Sequence, residues 1–230
     1  MKETLGNSIF FGIILTLGTY LLGVLLKKRF KFFLFNPLLV AIVLSISILT
    51  ILGIEYSQYY NGAGHISILL TPGTVCLAIP LYEQMQLLKK NATAILVGIA
   101  SGVITSGITI AAMSIAFALG HKEYVTLLPK SITTAIGIGL SQELNGYIAI
   151  TVAAIIITGL FGNIAGDVMC RICGIKHPVA KGIAIGTASH VMGTSKAMEI
   201  GAIEGAMSSL SVAVAGCMTV GAAILFENLV

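Results

Sequence analysis

Four long stretches with no charged side chain set the limits of this chain: residues 8–26, 92–120, 147–166 and 205–226. About 20 apolar residues carry a helix across the hydrocarbon core of a bilayer, and the last two stretches hold 20 and 22. Two further runs, residues 36–54 and 66–82, are apolar but carry Pro37, or Pro72 and Pro80. Only 10% of the 230 residues are charged, where a soluble domain carries about 25%. The expected fold is an all-α polytopic membrane protein with six spanning helices, as one domain over residues 1–230. Its net charge of +4 points to no nucleic acid, because the basic residues sit in short clusters between apolar runs.

Two segments do not fit a simple span. Between Lys130 and Glu143 lie 12 uncharged residues, and between Lys181 and Lys196 lie 14. Both are too short to cross and both are polar. The first holds Ser131, Thr133 and Thr134. The second holds Ser189, His190 and Thr194, and ends in Lys196 and Glu199. Irregular polar backbone at membrane depth survives only inside protein or beside a water-filled cavity. Residues 127–142 and 182–198 are therefore expected to be broken, re-entrant hairpins.

The two segments also align at an offset of 56. Thr133 to Gly137 lie over Ser189 to Gly193, Glu143 falls on Glu199, and each segment precedes a long uncharged span. Residues 127–172 and 182–228 are thus candidate units of an inverted repeat, an arrangement in which transporters place sites at the bilayer midplane. With six spans and two re-entrant hairpins, one side holds Lys27, Lys28, Arg29, Lys31, Lys89, Lys90, Arg171, Lys176 and Lys181, and the other holds Lys2, Lys122 and Lys130. Basic loops mark the cytoplasmic side, so both termini are expected outside. The start of the chain reads as a retained first helix and not a signal peptide.

His190 is the one histidine in a predicted membrane segment, and an ionisable group at that depth is a functional candidate by default. A neutral ring bonded to a carbonyl is the plainer alternative. Ser131, Thr133, Thr134, Ser189 and Thr194 offer hydroxyls that, with helix N-termini, can hold a carboxylate; helix–helix hydrogen bonding is their plain alternative. Lys196 and Glu199 either meet substrate or pair with each other across three residues. Thr133, Thr134, Ser189 and His190 are expected to converge where the hairpins meet. Asn36 reads as a helix cap. Cys170 and Cys173 form one CxxC with no second ligand pair, so no metal or cofactor is expected. No nucleophile constellation appears, so no enzyme is expected.

The stretches FNPLLVAI (35–42), LTPGTVCLAIPLYEQ (70–84), LLPKSITTAI (127–136) and GIAIGTASHVMGTSKAME (182–199) resemble the LrgB/CidB family of bacterial membrane proteins, in family order over nearly the whole chain. Where members often carry a second Pro after the Thr-Thr pair this chain has Ala135, and where they often carry Arg it has Lys196. The resemblance implies a bacterial cytoplasmic membrane and two functions. One is a carrier for small monocarboxylates of the glycolate, glycerate or pyruvate class. The other is antiholin-like or holin-like regulation of murein hydrolase activity and cell lysis, without transport. It also implies an LrgA/CidA-like, holin-like membrane partner. A small carboxylate, the lipid bilayer and further copies in a homo-oligomer complete the expected partners.

Overall fold

The computed structural model describes residues 8–30, 35–76 and 78–230. Among these the secondary structure is entirely helical. The chain divides into two compact units, residues 1–76 and 77–230.

The first unit begins with α1 (Ile9–Phe30) and α2 (Pro37–Leu52), which form an antiparallel pair. Asn36 caps α2 as expected: its Oδ1 accepts from the backbone N–H of Leu38 at 2.9 Å and Leu39 at 3.3 Å. Gly53 ends it in the left-handed conformation, φ 61°. The two helices meet where the Thr19 and Ser45 hydroxyls lie 3.1 Å apart and where Gly23 leaves room for the Pro37 backbone. Residues 55–65 start α3 (Tyr56–Ala63). Glu55 and Gln58 make a capping box, and Gly62 packs backbone to backbone on Gly12. A short 3-10 turn and α4 (Leu70–Cys76) come next.

The second unit opens with two short helices, α5 (Ala78–Glu83) and α6 (Met85–Lys90). The third apolar run, residues 66–82, includes residue 77, which lies outside the described residues. Then come α7 (Ala92–Ala116), α8 (His121–Leu127) with a 3-10 turn (Leu128–Ser131), α9 (Thr134–Glu143), α10 (Ile148–Ile172), α11 (Pro178–Ile200) and α12 (Ala202–Phe226). Four helices, α1, α7, α10 and α12, are long and apolar enough to cross a membrane, and α2 is a shorter apolar helix. This is an all-α membrane protein.

Both segments expected to break do so. Ile132 (φ −108°, ψ 178°) and Thr133 (φ −65°, ψ 147°) are extended, and α9 starts anew at Thr134. In α11 the break is His190, at φ 44° and ψ −144°. Each break folds the chain back on itself. A Cβ placed on Gly193 would lie 3.0 Å from the carbonyl oxygen of Ile185, although eight residues of straight helix span ~12 Å. A Cβ on Gly137 would lie 3.6 Å from the carbonyl oxygen of Pro129, the same pair shifted by 56. At the hairpin bases the pattern repeats. The Thr151 hydroxyl lies 2.9 Å from the Thr126 carbonyl and 2.7 Å from the Ser141 hydroxyl, tying both arms of the first hairpin to one point of α10. In the second, Gly182 packs on Glu204 and Met207, and Met198 packs on Gly205, so both arms meet one stretch of α12.

Candidate functional site

The two hairpins approach the middle of the second unit from opposite ends. Along α10, the first hairpin's base sits at Thr151 and Gly137 reaches the Ile155 side chain. The second enters from the far end: Ile185 packs beside Gly166 and Cys170, Ser189 lies against Gly162, and His190 against Gly159. Along α7 the order is matched. Ile95 and Ile99 pack with Val179 and Ile183 of the second hairpin's entry arm. Gly102 meets Thr187, Ser106 meets Ser131 at 3.5 Å, and Ile110 and Ala111 pack with Tyr124, Val125 and Leu128 of the first. Both tips thus stop near the centres of α7 and α10.

Small residues on α10 make the second tip possible. A Cβ on Gly162 would occupy the place of the Ser189 side chain, and one on Gly159 would strike the His190 ring and Met192 Sδ. The break frees backbone groups, and named side chains take them up. Asn163 Nδ2 donates to the Met192 carbonyl at 2.7 Å. The Thr194 hydroxyl donates to the His190 carbonyl at 3.0 Å and lies 2.8 Å from the Ser208 hydroxyl of α12. His190 Nε2 donates to the Ile155 carbonyl at 3.0 Å. Freed carbonyls in a membrane helix are satisfied by neighbouring side chains in this way.

The sequence-derived candidates differ in burial and in partners. Ser189, His190 and Thr194 are buried and packed against α10 and α12. Thr133 and Thr134 are half-buried at the start of α9, where Thr133 makes no side-chain cap bond. No hydrogen bond among the described residues joins Thr133 or Thr134 to Ser189 or His190. Lys196 and Glu199 pair at 2.9 Å at the base of the second hairpin, the plainer of their two readings.

Ser131 lies instead on a cavity of about 700 Å³ between α7 and the two hairpins. Lys130, Ser106, Thr187 and, at the far end, Asn91 and His177 line it as well. Lys130 Nζ donates to the Ser131 hydroxyl at 3.0 Å. Thr187 is 7% exposed, and its buried hydroxyl has no hydrogen-bond partner. Lys130, Ser106, Thr187 and Asn163 were not singled out from sequence. For Thr187 a signal existed, since Ser131 maps onto it at the offset of 56.

No solved structure matches the chain. It is 40% identical over 212 residues to "Antiholin-like protein LrgB" of Bacillus cereus (strain B4264), covering 92% of each chain. The same identity and coverage hold for "Antiholin-like protein LrgB" of Bacillus anthracis (strain A0248). The family model described as "LrgB-like family" matches residues 16–229. A protein matched over that span, with both hairpins inside it, belongs to the LrgB-like family.

Proposed function

We propose that this chain acts as an antiholin-like membrane regulator of murein hydrolase activity and cell lysis. The observation that carries the reading is its 40% identity over 92% of relatives named antiholin-like. It works in the bacterial cytoplasmic membrane with an LrgA/CidA-like partner. Charge supports the orientation: Lys89 and Lys90 precede α7, Arg171 ends α10, Lys176 and Lys181 flank the start of α11, and these ends adjoin one another in the second unit. Lys122 lies at the other end of α7. Basic residues mark the cytoplasmic face. Expression in a bacterium that lacks its own copy should lower murein hydrolase activity in zymograms and delay lysis. Unchanged zymograms and lysis overturn the reading.

A second reading, a carrier of small monocarboxylates, is favoured by one specific observation. Two broken hairpins enter from opposite ends and stop at mid-helix beside a cavity that carries Lys130 and several hydroxyl side chains, the arrangement in which carriers bind at the midplane. Uptake of labelled pyruvate and glycolate into proteoliposomes, with and without an LrgA-like partner, tests it. No uptake in either preparation rejects it.

A further inference from the structure

The cavity beside α7 holds a charge that no described residue balances. Among the described residues no carboxylate lies within ion-pair distance of Lys130; its ammonium reaches only the Ser131 hydroxyl. Lysines inside membrane proteins face a partner or a water-filled cavity and mark substrate or ion pathways. Lys130 is half-buried on the cavity wall.

Three hydroxyl residues line the same cavity, Ser131 in contact with that charge. Ser131 and Thr187 occupy related positions in the two hairpins, 56 residues apart, and Ser106 of α7 lies 3.5 Å from Ser131. Burying a hydroxyl without a hydrogen bond costs about 1–3 kcal/mol, and Thr187 Oγ1 is so buried. The same three residues line a second void of about 20 Å³, which has room for one water. The cavity itself follows α7 from Asn91 to Thr109, a rise of ~27 Å that nearly matches the ~30 Å hydrocarbon core. His177 and Lys130 line the same cavity.

The charge is single. The residue that the repeat places opposite Lys130 is Gly186, and a Cβ there would collide with the Ser208 backbone, so no second cation fits. We propose that the cavity binds a small monovalent oxyanion, its charge held by Lys130 and its oxygens by the hydroxyls of Ser106, Ser131 and Thr187. This deepens the carrier reading and rests on it for the choice of a carboxylate as probe. Binding itself is separable from transport.

The test is calorimetric titration of the full chain in lipid nanodiscs with sodium glycolate and with its neutral amide, glycolamide, at constant chloride. Glycolate binds, and glycolamide binds at least tenfold more weakly. Lys130→Gln weakens glycolate binding at least tenfold, Thr187→Val severalfold, and Lys130→Arg by no more than a few-fold. Lys122→Gln, outside the cavity lining, changes nothing. Equal affinity for glycolate and glycolamide, absence of glycolate binding, or wild-type affinity in folded Lys130→Gln overturns the proposal. Should Lys130→Gln fail to fold, wild-type affinity in Thr187→Val overturns it. Glycolate binding without proteoliposome uptake rejects the carrier reading and leaves the site. Uptake left intact by Lys130→Gln rejects the site and leaves the carrier reading.

Discussion

His190 Nε2 donates to the backbone carbonyl of Ile155 across 3.0 Å, and the side chain of the same Ile155 faces Gly137 of the other hairpin. One residue of α10 therefore touches both broken segments. The bond fixes the ring as the tautomer protonated at Nε2, because a carbonyl can only accept. It also ties the imidazole to the scaffold, which makes His190 a positioning group in the first instance.

The backbone at His190 gives that idea a test. Its φ of 44° lies where glycine is at ease and β-branched side chains are not. His190→Gly should keep the fold, since relief of backbone strain offsets a lost hydrogen bond of about 1 kcal/mol. His190→Val should be the least stable, by about 2–4 kcal/mol. Thermal unfolding in detergent reads the order, and a His190→Val protein as stable as His190→Gly contradicts it.

Gly162→Ala should destabilise by about 1–3 kcal/mol, the usual range for overpacking, because the new methyl lands on Ser189. Gly139→Ala, with open space around it, should not. Pairing Gly162→Ala with Ser189→Gly should recover most of the loss. Failure of that rescue, measured as melting temperature, would show that the two residues do not compete for one space.

Asn163→Leu removes the donor to the Met192 carbonyl and leaves an acceptor unpaired at membrane depth. The expected cost is about 1–3 kcal/mol. Lys196→Ala, which breaks an exposed pair, should cost under about 1 kcal/mol. Similar melting temperatures for the two variants would rule out the difference in burial as the deciding factor.

Because the second segment doubles back, residues 181 and 196 should be reached from one side of the membrane. In a background with Cys76, Cys170, Cys173 and Cys217 replaced, single cysteines at 89, 181 and 196 should resist an impermeant outside reagent, and one at 122 should react. Reaction at 196 but not at 181 would mean that the segment crosses.

Much of this was legible in the sequence. Lengths of 12 and 14 uncharged residues located both breaks, and the offset of 56 located the matching contacts of Gly137 and Gly193. The cavity was not legible, because its wall is shared by α7 and two hairpin arms whose register the sequence does not display. Thr133 and Ser189 stood closer to the breaks than Ser131 and Thr187, yet the residues two positions earlier line the space. Asn163 was hidden for another reason. It sits in an otherwise ordinary span, and its partner is a carbonyl freed 29 residues later. Residues 55–65 show the limit of composition, since a stretch of tyrosines and glycines is held helical by one capping box and one close approach.

The two hairpins are joined to their next helices very differently. Residues 144–147 connect α9 to α10, with Asn145 in the left-handed conformation at φ 59°. Gly201 alone connects α11 to α12. One residue supplies two soft torsions and no slack. The return arm of the second hairpin is therefore set against α12 by the chain itself. The first hairpin is held to α10 by the Thr151 hydroxyl, which meets both of its arms. One hairpin is fastened by covalent connectivity and the other by hydrogen bonds.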